Sequence, residues 1–294
     1  MTDIYFRYIP TDDPRLGRNV YHDPRSRLYP YLAPREVTFV SVRHERFIPV
    51  LDQGSLGSCT GNAGIGACGS HPFYPTLDEI VEDWSQAAAV QLYSDATKID
   101  PFTGEYPPTD TGSNGLSIAK ILKSRGWVSG YRHVFTTYDL KGALQETAVL
   151  FGTNWYNSFY RPTSDGELVI NPGATVSGGH EVVIDEIDVE RERYWITNSW
   201  GKSWGIDGRA WISFATMERL MREDGDIVVL VPLSEPAPEP TPSDDEVVEE
   251  DTELVDATLW EAVSKWVFQR HRGRKDLLAA KALYEWAKEK GLTD

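Results

Sequence analysis

At 294 residues, 40% of them hydrophobic and 25% charged, the chain can bury a sizeable core as one large domain or two halves. Its net charge of −16 argues against nucleic acid as a partner. No stretch approaches 18 consecutive apolar residues, which argues against a membrane-spanning helix. The first residues, Met1-Thr2-Asp3-Ile4-Tyr5-Phe6-Arg7, lack the basic-then-apolar pattern of a signal peptide, and a cytoplasmic location is expected.

Residues 1–46 scatter prolines, arginines and tyrosines without a period, as in Asp23-Pro24-Arg25-Ser26-Arg27, and read as an arm lying over a surface. The apolar run Phe47–Leu51 leads into the loop Asp52-Gln53-Gly54-Ser55-Leu56-Gly57-Ser58-Cys59, and small residues from Ala63 to Ala67 start a helix. Trp84, Ala88, Leu92 and Ala96 share one helical face, and a second helix runs from Leu116 to Arg125 with Gly126 as its cap. From Thr147 the texture changes: 147–154, 181–189, 193–197, 209–214 and 226–231 are short runs rich in Val, Ile, Trp, Tyr and Phe, the pattern of strands. Helices followed by strands give an α+β fold with a seam near 136–146.

Between Leu233 and Asp256 lie ten Asp or Glu and no Lys or Arg, so the remainder carries only −6, from −16 plus ten. Four prolines interleave these acids, as in an extended linker. Thr258-Leu259-Trp260-Glu261 is a capping-box pattern that opens a helical hairpin, too small to stand alone and expected to dock on the body or on a protein partner. The expected organisation is an arm (1–46), a helical part with the cysteine loop (47–140), a β-rich part (141–232), an acidic linker (233–253) and a helical hairpin (254–294).

Cys59 and Cys68 are the two cysteines. Nine residues apart on one helix they would stand about 13.5 Å apart, too far for a disulfide, which fits a reducing compartment. No Cys-x-x-Cys or His-Glu-x-x-His spacing occurs, so neither a metal nor a cofactor is expected. A thiol at a helix N-terminus is drawn toward thiolate by the helix dipole, and Gln53 offers an amide donor six residues earlier. Taken alone, Cys59 is better explained by structural burial than by chemistry. Of the six histidines, His180 differs: it follows Ser177-Gly178-Gly179 and begins the apolar strand Val182-Val183-Ile184, so its ring has rigid backing. His71 and His133 read as surface residues. Asn198, ending the run Tyr194-Trp195-Ile196-Thr197, can accept from an imidazole N–H while neighbouring indoles exclude water.

Gln53-x5-Cys59, Gly179-His180 before an apolar strand, and Trp195-Ile196-Thr197-Asn198-Ser199-Trp200-Gly201 together resemble the papain-like cysteine peptidases across roughly 50–231. His180 follows Cys59 by 121 residues and Asn198 follows it by 139, near the spacing of that family. The resemblance implies a two-domain fold, helical on the left and β-barrel-like on the right, with a peptide or protein substrate in the cleft between. It implies Cys59 as nucleophile, His180 as base and then acid, Asn198 as orienter of His180, Gln53 with the Cys59 N–H as oxyanion hole, and Trp200 as shield of the Asn–His bond. A Cys59 thiolate and a His180 imidazolium would then be the resting pair. Leu56 stands where secreted members place a disulfide cysteine, which resembles the disulfide-free bacterial and phage members and allows a virion location. Thr60 replaces an aromatic beside the nucleophile. Glu181 follows the base where a small residue is usual, and on a strand it should point away from the cleft. The arm is too short for a long inhibitory prosegment and is expected to pack on the body without blocking the cleft. Two other readings stay open: a silent papain fold used for binding or virion structure, and a cell-wall peptide hydrolase or acyl transferase using the same residues. Gly64-Ile65-Gly66-Ala67-Cys68-Gly69 matches a dinucleotide fingerprint, but no strand directly precedes it, so close helix packing explains it better.

Overall fold

Residues 5–235 are described by the structure, a computed structural model. The acidic segment beyond 235 and the expected helical hairpin lie outside the described residues. The arm contributes three short strands, β1 (Tyr5–Arg7), β2 (Val20–His22) and β3 (Val42–Arg43). Four helices follow: α1 (Cys59–Cys68), α2 (Tyr74–Leu77), α3 (Gln86–Thr97) and α4 (Gly115–Ser124). Side-chain caps begin two of them, with Ser85 accepting from Ala87 N and Asn114 from Ser117 N. The remaining elements are β4 (Gly130–Val134), α5 (Thr137–Glu146), β5 (Val149–Tyr156), β6 (Val176–Asp188), β7 (Arg193–Thr197), β8 (Arg209–Ser213), α6 (Phe214–Arg222) and β9 (Asp226–Val231). The first two fingerprint-like glycines fall inside α1, where Gly64 lets Leu92 and Ile118 approach and Gly66 admits Arg46 and Val183, and Gly69 caps its end.

Seven antiparallel strands form one sheet in the order β4-β9-β5-β6-β7-β8, with β3 beside β6. The fold is α+β, and the sheet stays open with no closed barrel among the described residues. β4 pairs with β9, so a strand preceding the expected seam joins the sheet, and the seam region itself is helix α5. Strand alternation divides the interior in two. Leu150, Val183, Val228 and Leu230 face the helices, among Ile65, Leu92, Ile118 and Leu122. Phe151, Val182, Ile184, Ile227 and Val229 face the other way, among Trp155, Phe159, Tyr194 and Leu220. Each such large apolar side chain contributes about 2 kcal/mol by leaving water. Among the described residues no helix is long and apolar enough to cross a membrane, and no group of His, Cys, Asp and Glu could hold a metal ion.

Candidate active site

Cys59 is the first residue of α1 and is fully buried. Its N-cap, Ser58, accepts no backbone N–H of the first turn through its side chain; Asn62 Nδ2 instead donates to the Ser58 carbonyl at 2.9 Å and to its Oγ at 3.1 Å. The first-turn amides are thereby left to the sulfur, which is met by the backbone N–H groups of Thr60, Glu181 and Gly17. Burial outweighs these donors and pushes the Cys59 thiol up to about 12.

His180 stands on β6, on the face it shares with Val182, and is also fully buried. Its Nε2 lies 2.7 Å from Asn198 Oδ1, just past the end of β7. Asn198 Oδ1 also accepts from Ser199 N at 2.7 Å, so it meets the ring as an acceptor and Nε2 carries the proton. Nδ1 is then the bare nitrogen, and it has no hydrogen-bond partner among the described residues. The ring sits between two indoles, Trp155 at 4.7 Å and Trp200 at 4.9 Å between centroids. Burial lowers the His180 pKa to about 4, against the raising effect of Asn198. The pair is therefore a neutral thiol and a neutral imidazole, not the ion pair expected from sequence, because both groups are cut off from water.

The cover that cuts them off is the arm. Arg18 N donates to Gly179 O at 3.1 Å, Asn19 N to Ser113 O at 2.8 Å, and Ser113 N to Gly17 O at 2.8 Å. Residues 17–19 thus bridge the segment before His180 to the loop before α4. Gly17 presses so closely on Gly57 that a Cβ there would overlap the Gly57 carbonyl. Arg15 lays its guanidinium 4.2 Å above the Trp200 ring, and its carbonyl faces His180. The expectation that the arm leaves the cleft free is wrong: backbone pairing on both sides draws it in.

Gln53 is buried beside the same segment. Its Nε2 donates to the carbonyls of Arg15 at 3.0 Å and Leu56 at 2.7 Å, and its Oε1 accepts from Ser199 Oγ at 2.6 Å. The amide aims at an arm carbonyl. Glu181 needs a further correction. It does point to the opposite face from His180, but that face is turned toward the helices and not to solvent, and Arg18 of the arm reaches it there. His133, read as a surface residue, is buried in β4, and burial lowers its pKa to about 4. Thr60 is buried with its hydroxyl unpartnered among the described residues. Arg15, Gly17 and Arg18 carried no sequence signal, since they engage through backbone atoms and two isolated cations.

No protein-family model matches the chain, and no curated protein matches it. Solved structures do. Xylellain, a cysteine protease from Xylella fastidiosa, superposes with a TM-score of 0.59 at 20% identity, covering 76% of this chain and 98% of its own. Digestive procathepsin L 3 from the larval midgut of Tenebrio molitor gives 0.52 at 15% identity, covering 74% of this chain and 77% of its own. Procathepsin L2 from the same tissue also gives 0.52 at 15%, with 76% and 80% covered. The fold is papain-like. In a papain-like fold the helical and β-rich parts flank a cleft, and here Cys59 comes from the helical side while His180 and Asn198 come from the sheet.

Proposed function

We propose that the chain is a cysteine peptidase in a latent, arm-covered form. The observation that carries this reading is the 2.7 Å contact of His180 Nε2 with Asn198 Oδ1, which leaves Nδ1 unpartnered on a strand that packs against α1, the helix Cys59 begins. With the arm withdrawn, both groups regain water, the thiol pKa falls and the imidazole pKa rises. Nδ1 takes the Cys59 proton as the sulfur attacks the scissile carbonyl carbon. The resulting oxyanion takes its hydrogen bonds from the Cys59 N–H and from Gln53 Nε2, a donor now occupied by the Arg15 carbonyl. The imidazolium then protonates the departing amine, leaving a thioester on Cys59. Water attacks the thioester, gives its proton to His180, and releases the acid and the thiol. Trp155 and Trp200 keep water from the Nε2–Oδ1 bond throughout. The reading implies a peptide or protein substrate. No observation favours the silent-scaffold or acyl-transfer alternatives.

The test is casein cleavage together with labelling by a thiol-directed epoxide, mapped by mass, on the full-length chain with Gly17→Ala to weaken the arm. Cleavage with the label on Cys59 is the expected result. An intact fold that neither cleaves casein nor takes label at Cys59 would overturn the proposal.

A further inference from the structure

Glu181 directly follows the candidate base, yet its carboxylate is only 1% exposed and neither oxygen has a hydrogen-bond partner among the described residues. It faces a hollow made by two missing side chains. A Cβ on Gly152 would lie 2.6 Å from Asp226 Oδ1, 2.7 Å from Glu181 Oε2 and 2.7 Å from Arg18 Nε. A Cβ on Gly115 would lie 2.5 Å from Glu181 Oε1 and 3.5 Å from Asp226 Oδ2. Gly152 and Asp226 are direct partners across β5 and β9, so the hollow rests on the sheet, with Gly115 of α4 as its other wall. Arg18 fills it. Its fully buried guanidinium pairs with Asp226 and donates to the Asp224 carbonyl at 2.6 Å, while Nε and Nη1 find no partner among the described residues.

Two carboxyl groups converging on one buried cavity are tolerated when a cation sits between them or when one of them keeps its proton. Burial first, and then the Asp226 charge, hold the Glu181 pKa well above the usual carboxylate range, and the Arg18 charge opposes them only in part. A planar fork with several donors suits two carboxylates from different strands better than the point charge of an ammonium. The position is close to the chemistry: the Glu181 N–H and the Gly17 N–H both face the Cys59 sulfur, and Arg18 is the next residue along the arm.

We infer that Glu181, Asp226, Gly152 and Gly115 form a guanidinium pocket that selects peptides carrying arginine within two residues of the scissile bond once Arg18 withdraws. The specificity part rests on the peptidase reading above; the chemistry of the pocket does not.

Two experiments separate them. The full-length Arg18→Ala chain is titrated with arginine amide and with norleucine amide by calorimetry. Arginine amide should bind about tenfold tighter or more, a preference removed by adding Glu181→Gln and Asp226→Asn. Equal binding of the two amides overturns the pocket, whether or not any peptide is cleaved. The same Arg18→Ala chain is then given a peptide library, where arginine should be enriched about tenfold at one position within two residues of the cut. Cleavage without that enrichment overturns the specificity and confines the pocket to holding the arm. Arginine amide binding with no cleavage of any peptide supports the pocket and sinks the peptidase reading. Where Arg18→Ala does not fold, the wild-type chain supplies the test. Arginine amide should displace Arg18 and speed epoxide labelling of Cys59, norleucine amide should not, and equal rates overturn the inference.

Discussion

Cys59 and Cys68 stand at the two ends of α1, both fully buried, and burial pushes both thiols up to about 12. By exposure and acidity they are the same residue. They differ in what covers them and in which end of the helix they face. Cys68 lies in the helical core with Ile65, Ala67 and Leu122, at the negative end of the α1 dipole, where a thiolate is disfavoured. Cys59 lies at the positive end, covered by Gly17 of an arm held through backbone bonds to Ser113 and Gly179. One cover is the core and goes only with unfolding. The other is a segment of the arm, which the proposed activation would displace while α1 stays folded. Burial alone therefore says little about reactivity; the free energy of removing the cover decides it.

The largest expected effect breaks this comparison chemically. Cys59→Ala should lower peptide cleavage about 10⁴-fold or more, as loss of a nucleophile does, while Cys68→Ala should keep kcat/KM within about threefold and cost about 1 kcal/mol of stability. Steady-state kinetics and urea melts on both variants check it, and equal losses of activity would remove the distinction between the two ends. Next comes the cover itself. Gly17→Ala overpacks the arm against Gly57, a cost of about 2 kcal/mol, or about thirtyfold in the population of the open cleft. Epoxide labelling of Cys59 should quicken by that factor with Cys68 still protected. Labelling of both cysteines together would mean that the variant simply unfolds.

Much of the β-rich part was legible. The runs at 193–197 and 226–231 match β7 and β9 residue for residue, because short β-branched and aromatic stretches between turns have few other uses. Cys59, His180 and Asn198 could be singled out for the same reason: each pairs a reactive group with a recognisable local frame. The arm was not legible. Residues 13–19 show no apolar period, and their hold on the cleft rests on main-chain bonds, the Arg15 guanidinium over Trp200 and the buried Arg18, none of which leaves a mark in composition. Glu181 was half legible. Alternation along β6 puts it opposite His180, but alternation does not say what lies over that second face, and here it is α4 and the arm.

A smaller effect tests the comparison by acid. His180, lowered to about 4, takes no proton between pH 6.5 and 4 while covered, whereas a solvated ring does. At this ring the exposed state then binds more protons in that window, so the His180 contribution to the stability of the covered form is fully present above 6.5 and is lost as pH drops through it. The other groups facing the ring are Asn198, Arg15 and Asp13, and the Asp13 pKa is already held below its usual value by Arg15, so neither charge changes in this range. At the Cys68 end the charge felt is that of Arg125. Hydrogen exchange, corrected for intrinsic rates, should show Arg18 and Asn19 amides losing protection from pH 6.5 to 4 faster than the Gly69 amide. His180→Gln should flatten that difference, and an unchanged slope would take His180 out of the arm's release.

The smallest effect concerns how Gln53, the proposed oxyanion donor, is aimed. Ser199 Oγ donates to Gln53 Oε1 at 2.6 Å, and Ser199 O accepts from Gln53 N at 2.9 Å, so the residue after Asn198 fixes the Gln53 amide from both ends. Removing the hydroxyl leaves the backbone bond and the Leu56 contact, which hold Gln53 loosely in place. Ser199→Ala should therefore lower kcat about three- to tenfold with KM little changed, as for a donor that counts mainly in the transition state. Gln53→Ala, which deletes the donor itself, should lose about a hundredfold. In the Gln53→Ala background the serine change should then cost almost nothing, because it acts only through the amide it aims. A full additional loss there would assign Ser199 some role other than positioning Gln53.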